Sequence, residues 1–541
     1  MRPSGFSQWF SLLWGISGVT GVSEVTVASW AKMKTHIENS ASAVVVINVP
    51  GNLTNCSGTI SIPAGYDVTV KAAGPSSSPP LWSLLWVGVD SPGSGLLFSV
   101  TGNLTLQDLE IRGSGYRFNN PFGSTDKGGA IFVATSGRLD VQGGGFKNCL
   151  AYYGGAIFNL GFTALSATSF TGNSANRGGA IMNYNLLDVK GCKFTGNNAS
   201  DGHGGAIANF DSDSVLRISS SLFAFNAATK KGGDIMMLGI VYITDTVFHK
   251  SRVHEAGTGG GAISANAGSL HLSNSSFSGQ SAPDGGAIYL ELSSSLFINN
   301  SYISNTEAVD GAAIYSDAST MEFATLRVEG TNASEFGVIY LTDESYLMAT
   351  DLTCDGNYAH FRGNCIFAKE SSNLRLHDSA FKNGNSHRYG ALTISGGSVV
   401  ISNCIFVGNG LGDGIVSTSK LGAAISCSGT HLNVSGSTFV GNFGAYDGGA
   451  IYLSNSADTL IEIRGTNASG NSATRSGGFF YMDGGALKSF NLSVFGNIAD
   501  EDGGGMYLAD TEHVEIWNSR FTNNVARMSG GGGHLLFEQR R

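Results

Sequence analysis

A short motif returns at nearly even intervals through three quarters of the chain. Its commonest form is Gly-Gly-Ala-Ile, as at residues 178–181, and its copies are spaced by 24 to 33 residues with a mean of 26.9. The copies begin at residues 128, 154, 178, 204, 232, 260, 285, 311, 336, 363, 389, 422, 448, 477, 503 and 532. Such a fixed period is the signature of a solenoid, in which each repeat buries its apolar face only against its neighbours.

The fourth residue of the motif is apolar in every copy, and in twelve it is Ile. These positions are Ile131, Ile157, Ile181, Ile207, Ile235, Ile263, Ile288, Ile314, Ile339, Ile366, Ile425 and Ile451, then Leu392, Phe480, Met506 and Leu535. Alternating runs such as Leu216-Arg217-Ile218 lie between the motifs, and no helical spacing persists over ten residues. We therefore predict an all-β fold, a right-handed single-stranded parallel β-helix of roughly 16 or more coils.

A second motif, Phe-x-x-Asn, keeps the same register. It occurs at Phe170/Asn173, Phe194/Asn197, Phe223/Asn226, Phe406/Asn409, Phe439/Asn442 and Phe521/Asn524, and in degraded form at Phe146/Cys149, Phe248/Ser251 and Phe277/Gln280. Stacked coils predict an internal column of rings and an internal ladder of amides. The Gly pair predicts a turn with positive φ, or a backbone approach too close for a Cβ. We expect Asp234, which replaces the motif Ala, to point outward.

The N-terminal region is expected to differ from the repeats. Residues 1–23 resemble a secretory signal peptide, with Arg2 ahead of an apolar stretch from Trp9 to Ile16. Residues 24–127 are predicted to form a cap and the first coils, with a Ser-, Pro- and Gly-rich loop at 72–95. Ser29 is placed to cap a helix from Trp30 to about Asn39, which would cover the open end of the β-helix. The repeat domain is 128–541.

Composition excludes several functional classes. Charged residues reach only 13%, Gly fills 77 of 541 positions, and the net charge is −10, which gives no electrostatic footprint for nucleic acid. No stretch is long and apolar enough for a transmembrane helix. Seven scattered cysteines give no disulfide framework and leave at least one thiol unpaired. Asn-x-Ser/Thr sequons permit glycosylation at Asn52, Asn55, Asn103, Asn198, Asn274, Asn299, Asn332, Asn433, Asn467 and Asn491.

The alternating motifs resemble the polymorphic outer-membrane protein repeat of chlamydial surface proteins, within the pectin-lyase-like right-handed β-helix superfamily. That resemblance implies a secreted or cell-surface adhesin or interaction scaffold, whose partner would be an extracellular glycan or a surface protein. No membrane barrel follows the repeats in this sequence, so attachment to an outer membrane stays open. We also expect the C-terminal coil to pack on a further domain or another chain.

Enzymatic function is the main alternative, because the superfamily includes polysaccharide lyases, hydrolases and epimerases. A third hypothesis is a structural component of a wall or coat. We find no catalytic constellation, and we assign no catalytic, cofactor or metal-binding residues. His203 stands in Gly-His-Gly but at a variable repeat position. Turn carboxylates (Asp126, Asp201, Asp284, Asp310, Asp447, Asp502), the group His249, His254 and Glu255, and the outward loop 410–414 are interpreted as surface features. Several outward carboxylates in one groove would favour an enzyme, and exposed aromatic strips would favour binding.

Overall fold

The computed structural model describes residues 22–53, 56, 58–72, 83–86, 96–113, 126–255, 259–412, 420–454, 459–528 and 535–538. Within them the chain is an all-β parallel solenoid of about 17 turns with one short helix. Each turn contributes a strand to each of three long parallel sheets, so the predicted β-helix is confirmed. The predicted signal peptide at 1–23 falls almost wholly outside the described residues and stays a prediction; the first strand begins at Val22.

The Ile sheet carries the first motif. Its strands are Ile60–Ile62, Phe98–Val100, Ile131–Val133, Ile157–Asn159, Ile181–Asn183, Ile207–Asn209, Ile235–Met237, Ile263–Asn266, Ile288–Glu291, Ile314–Asp317, Ile339–Thr342, Ile366–Ala368, Leu392–Ser395, Ile425–Ser428, Ile451–Ser454, Phe480–Asp483, Met506–Ala509 and Leu535–Glu538. Every motif Ile pairs in register with the next and is fully buried, as in Ile181 and Ile207. The predicted inner Ile column is therefore present.

The long sheet follows the Ile sheet in each turn. Its 19 strands are Val22–Thr26, Val44–Val49, Asp67–Ala72, Asn103–Gln107, Arg138–Gln142, Phe162–Ser166, Leu186–Lys190, Val215–Ser219, Ile240–Thr244, Ser269–Ser273, Ser295–Asn299, Thr320–Phe323, Tyr346–Thr350, Asn373–His377, Ser398–Ser402, His431–Ser435, Leu460–Arg464, Ala486–Phe490 and His513–Trp517. Along most of these strands alternate residues are buried in the interior, and the residues between them face solvent.

The Phe sheet completes the turn and carries the second motif. Its strands are Ser83–Trp86, Leu109–Arg112, Gly145–Lys147, Ser169–Thr171, Lys193–Thr195, Leu222–Ala224, Val247–His249, Ser276–Ser278, Ser301–Ser304, Leu326–Glu329, Leu352–Asp355, Ala380–Lys382, Ile405–Val407, Thr438–Val440, Asn467–Ser469, Ser493–Phe495 and Arg520–Thr522. The rings of Phe170, Phe194 and Phe223 stack with centroids 4.7 and 4.6 Å apart. Ser83–Trp86 lies inside the predicted loop 72–95, most of which is outside the described residues.

Short strands follow the Phe sheet where the chain turns back toward the Ile sheet. They are Ser174–Ala175, Asn198–Ala199, Ala227–Ala228, Arg252–Val253, Glu307–Asp310, Asn332–Phe336, Tyr358–Ala359, Asn385–Ser386, Gly410–Leu411, Ser472–Ala473, Ile498–Ala499 and Val525–Ala526. The predicted outward loop 410–414 differs, because Gly410–Leu411 is one of these strands and Leu411 is buried; residues 413–419 lie outside the described part.

The Asn residues of the second motif form two internal ladders. The Asn173 side-chain NH₂ donates to Asn197 Oδ1 (2.9 Å), and Asn197 donates likewise to Asn226 (3.0 Å). The second ladder is longer and joins Asn409, Asn442, Asn471, Asn497 and Asn524 by the same bonds. Each amide therefore satisfies buried backbone groups at a turn, as the motif predicts.

The Gly pair serves both predicted purposes. Gly178 has φ +63°, which favours glycine. A Cβ on Gly179 would lie 2.1 Å from the carbonyl oxygen of Gly205 on the next coil. Glycine is therefore strongly favoured at both positions, and this explains why the pair recurs in most copies with the period of the fold.

The prediction that the Asp234 side chain points outward was wrong. The side chain is fully buried, because Ser251 replaces the Asn that would continue the first ladder. Asp234 Oδ1 accepts hydrogen bonds from Asn226 Nδ2 (2.8 Å) and Ser251 Oγ (2.6 Å). Burial raises the pKa of this carboxyl to about 7. The carboxyl thus takes the place of the missing amide.

The N-terminal end is covered as predicted. The helix Trp30–Glu38 is capped by Ser29, whose hydroxyl accepts from the Lys32 backbone N–H, and Trp30, Met33 and Ile37 are buried. The Trp30 and Phe98 rings pack in a T-shaped arrangement with centroids 5.5 Å apart. The helix therefore closes the apolar interior that the first coil would otherwise expose.

Candidate ligand-binding pocket

The outer face of the Ile sheet carries a column of aromatic side chains. The residue after each motif Ile points outward, and in register these residues include Tyr289, Tyr315, Tyr340 and Phe367. Tyr315 stacks on Tyr289 and Tyr340 with centroids 5.0 and 4.8 Å apart. A second run joins Tyr452, Tyr481 and Tyr507. Aligned copies of the repeat contain this signal at the residue after the motif Ile, a position that neither of the two repeat motifs includes.

The column is interrupted between Phe367 and Tyr452. The two intervening positions are Thr393 and Ser426, whose short side chains cannot bridge the gap. A pocket of about 310 Å³ lies there, walled by Arg362, Tyr389 and the two flanking rings. Its polar lining comes from hydroxyl groups of Thr393, Ser395, Ser426, Ser428 and Ser454.

Arg362 supplies the positive charge of this pocket. Its guanidinium lies 5.0 Å from the Tyr389 ring centroid, 5.9 Å from that of Phe367 and 5.8 Å from that of Phe336. Among the described residues no carboxylate lies within ion-pair distance of Arg362. Aromatic faces therefore hold the cation while leaving its hydrogen-bond donors for another group.

Thr393 adds an unused polar group. Its side chain is 6% exposed, and in the described structure its hydroxyl has no hydrogen-bond partner. A buried hydroxyl without a partner costs free energy that a bound polar group can recover. The pocket thus combines apolar ring faces, hydroxyls and one unpaired cation.

The wall of the pocket continues along the helix axis as a column of residues joined by parallel bridges. In order they are Asp284, Asp310, Phe336, Arg362, Tyr389, Leu421 and Asp447. Burial raises the pKa values of Asp284 and Asp310 to about 6 each, and the Asp284 charge adds to the effect on Asp310. Asp310 Oδ1 also accepts a hydrogen bond from the Phe336 N–H (3.2 Å).

The remaining turn carboxylates do not lie beside Asp284 and Asp310. Asp447 forms an ion pair with Arg475, and Asp201 accepts from Asn176 on the surface (3.3 Å). Asp126 and Asp502 lie in distant coils. Burial raises the pKa of the Asp126 carboxyl. In the described ranges no three His, Cys, Asp or Glu side chains converge as a metal site.

His203 lies on the same side as the wall, several coils before the pocket. Its Nδ1 is buried without a hydrogen-bond partner in the described structure. Burial, with the positive charges of Arg177 and Lys231 nearby, lowers its pKa to about 4. Of the other predicted group, His249 Nδ1 pairs with Ser278 Oγ (2.9 Å) on the Phe sheet, away from the pocket.

The cysteines are buried and one pair is bonded. Cys354 and Cys365 form a disulfide, with Cα atoms 6.0 Å apart. Burial raises the pKa of Cys192 and Cys404 to about 11 each, so both are poor nucleophiles. A larger depression beside the helix, of about 640 Å³, is lined by Ser23, Lys32, His36 and neighbouring small or polar residues, with no Phe, Tyr or Trp side chain.

Comparisons with known proteins agree with the fold. Residues 261–439 match the family model of the right-handed β-helix region. No curated protein sequence matches the chain with significance. In the described part of the chain no helix is long and apolar enough to cross a membrane.

Three solved structures are similar only distantly. The PL6 family alginate lyase AlyGC is 8% identical with a TM-score of 0.22, covering 96% of this chain and 100% of its own. PfbA, a surface adhesin of Streptococcus pneumoniae, is 11% identical with a TM-score of 0.18 over 92% and 90%. The A-module of Azotobacter vinelandii mannuronan C-5 epimerase AlgE4 is 10% identical with a TM-score of 0.15 over 96% and 98%.

Proposed function

We propose that this protein is an extracellular interaction protein that binds a glycan, with one anionic sugar residue held in the pocket between Phe367 and Tyr452. The observation that carries this proposal is the break in the aromatic column at Thr393 and Ser426, which leaves a hydroxyl-lined cavity beside Arg362, a cation that no carboxylate of the described residues pairs with. The sequence resemblance to surface adhesins supports it, and so does the predicted signal peptide.

Each part of the pocket matches one part of a sugar. Apolar C–H faces of a sugar ring pack on the faces of Phe367 and Tyr452, as apolar groups do in most ligand pockets. Ring hydroxyls exchange hydrogen bonds with Thr393 and Ser426. A carboxylate or sulfate substituent pairs with Arg362, whose planar donors suit such groups.

Glycan-array binding followed by titration calorimetry tests this proposal on the full chain. Arg362→Ala should weaken binding of the preferred anionic glycan at least tenfold, and Ser426→Phe should abolish it by continuing the aromatic column into the cavity. Arg327→Ala is the matched control, because that arginine is exposed on the Phe sheet and pairs with Glu329 (2.9 Å). Unchanged binding in both pocket variants would refute the assignment.

A second candidate is a polysaccharide-active enzyme, favoured by Asp284 and Asp310. These carboxyls lie on adjacent coils of the wall, and their pKa values of about 6 suit proton transfer near neutral pH. Incubation with acidic polysaccharides, followed by reducing-end and unsaturated-product assays, separates the two functions. Turnover that disappears in Asp284→Asn and Asp310→Asn would replace the binding proposal with a catalytic one.

A further inference from the structure

The outer face of the long sheet carries an aromatic patch. The pocket described above lies on a different sheet, the Ile sheet. The patch consists of Tyr242, His271 and Phe297, which occupy one register column on three successive coils. Their rings stack with centroids 4.8 Å apart at both steps. Tyr242 is 41% exposed and Phe297 is 37% exposed, and a shallow cavity of about 330 Å³ runs beside them.

Further exposed apolar side chains lie near this patch. Ile240 lies on the Tyr242 strand, and Met348 lies in the same column two coils beyond Phe297. Both are more than one third exposed. Ile240, Tyr242 and Phe297 form one exposed apolar area, which Glu322 separates from Met348, and an exposed apolar area of this kind marks an interaction surface.

Charges of opposite sign flank the patch symmetrically. Arg217 lies two coils before His271 in the column, and Glu322 lies two coils after it. Arg217 contacts Asp188 at 3.2 Å. Glu322 is exposed, and in the described part of the chain it has no ion-pair partner.

Two arrangements could place this face against the same face of another copy. A two-fold axis parallel to the helix axis would set equivalent coils opposite each other, so Arg217 would meet Arg217 and Glu322 would meet Glu322. A two-fold axis parallel to the strands would reverse the helix direction, so that Arg217 meets Glu322. The charges therefore disfavour the first arrangement and favour the second.

We propose that a second copy of this chain docks on the aromatic patch in the antiparallel arrangement, with the two-fold axis passing at His271. Tyr242 then faces Phe297 of the partner subunit, and His271 lies against its own equivalent. Arg217 pairs with the partner's Glu322 on each side of the rings. The dimer buries the exposed apolar column and leaves the pocket of each chain outside the interface residues.

Sedimentation velocity across a concentration series tests the dimer. The protein is produced in a host without N-glycosylation, because the sequon residue Asn299 lines the same cavity. The unmodified chain should dimerise. Arg217→Glu and Glu322→Arg should each weaken dimerisation at least tenfold, because each change opposes like charges in a homodimer.

Mixing the two variants gives the decisive result. In a heterodimer of Arg217→Glu with Glu322→Arg, both contacts again join opposite charges, so an equimolar mixture should recover the dimer. Arg327→Glu and Glu329→Arg are matched controls on the Phe sheet. Each of these variants should dimerise as strongly as the unmodified chain. A monomeric unmodified chain, a dimer indifferent to both charge reversals, or no recovery on mixing would each overturn the proposal. Circular dichroism of every variant checks folding.

Discussion

The two faces of the Ile sheet are under different packing requirements. On the inner face Leu392, Ile425 and Ile451 form one uninterrupted apolar column. On the outer face of the same strands, Thr393 and Ser426 interrupt an aromatic column. The inner face repeats because every coil must fill the same interior space, whereas the outer face is free to change and so can carry a site.

The largest effect is expected from breaking the inner face. Ile425→Ala should lower the free energy of unfolding by about 3 to 4 kcal/mol, because it opens a cavity in a fully buried column. Urea denaturation followed by circular dichroism measures the loss. Ser426→Ala on the same strand is the control and should cost less than about 1 kcal/mol. Equal losses would contradict the division between the faces.

The disulfide is a second interior feature. Replacing both Cys354 and Cys365 by Ala should lower the free energy of unfolding by about 2 to 3 kcal/mol, since an 11-residue separation is cross-linked in the unfolded chain. Denaturant unfolding with and without a reducing agent measures this change. Reduction should destabilise the unmodified chain and leave the double variant unaffected; an effect of reduction on both would exclude this bond as the cause.

Asp234 makes one interior site depend on pH. Its folded-state pKa of about 7 lies above the value of about 4 expected in the unfolded chain, so the folded chain binds the extra proton between those pH values. The stability it contributes is fully present below pH 4 and is lost as the pH rises through 7.

Asp234→Asn removes that dependence while keeping an acceptor for Asn226 and Ser251. The advantage of the variant over the unmodified chain should therefore be larger at pH 8 than at pH 5 by about 2 to 3 kcal/mol, because between pH 5 and pH 7 the folded chain keeps a proton that the unfolded chain has released. Thermal unfolding in the two buffers compares them. A difference of the same size at both pH values would show that ionisation of Asp234 is not the cause.

The smallest effect is expected at the pocket. Thr393→Val removes a buried hydroxyl without a partner and should raise the free energy of unfolding by up to about 1 kcal/mol. Thr430→Val is the matched control and should lower it, because the Thr430 hydroxyl donates to the Ser428 carbonyl (3.0 Å). Glycan affinity of Thr393→Val should fall although stability rises; a gain in affinity would contradict the assigned role.

Much of the fold could be predicted because its causes repeat. The Ile and Phe columns, the amide ladders and the Gly pair each recur with the period of the coil, so the residue pattern contained the contacts. The position of Ser29 ahead of Trp30 likewise predicted the capping helix from local sequence alone.

Features that do not repeat could not be predicted in this way. Asp234 was expected to point outward, because the sequence shows that Ser251 replaces the motif Asn but does not show that folding brings this vacant amide position, 17 residues away, against Asp234. Arg362, Thr393 and Ser426 lie in different turns, and only stacking of those turns brings them to one cavity.

The sequence by itself determined a parallel β-helix, its inner columns and the closure of one end, because burial of apolar side chains acts on every coil alike. The tertiary structure alone decided which outward residues become neighbours. Side chains about 27 residues apart come within contact distance only once the coils stack, and the register of that stacking is what creates both the pocket and the aromatic patch.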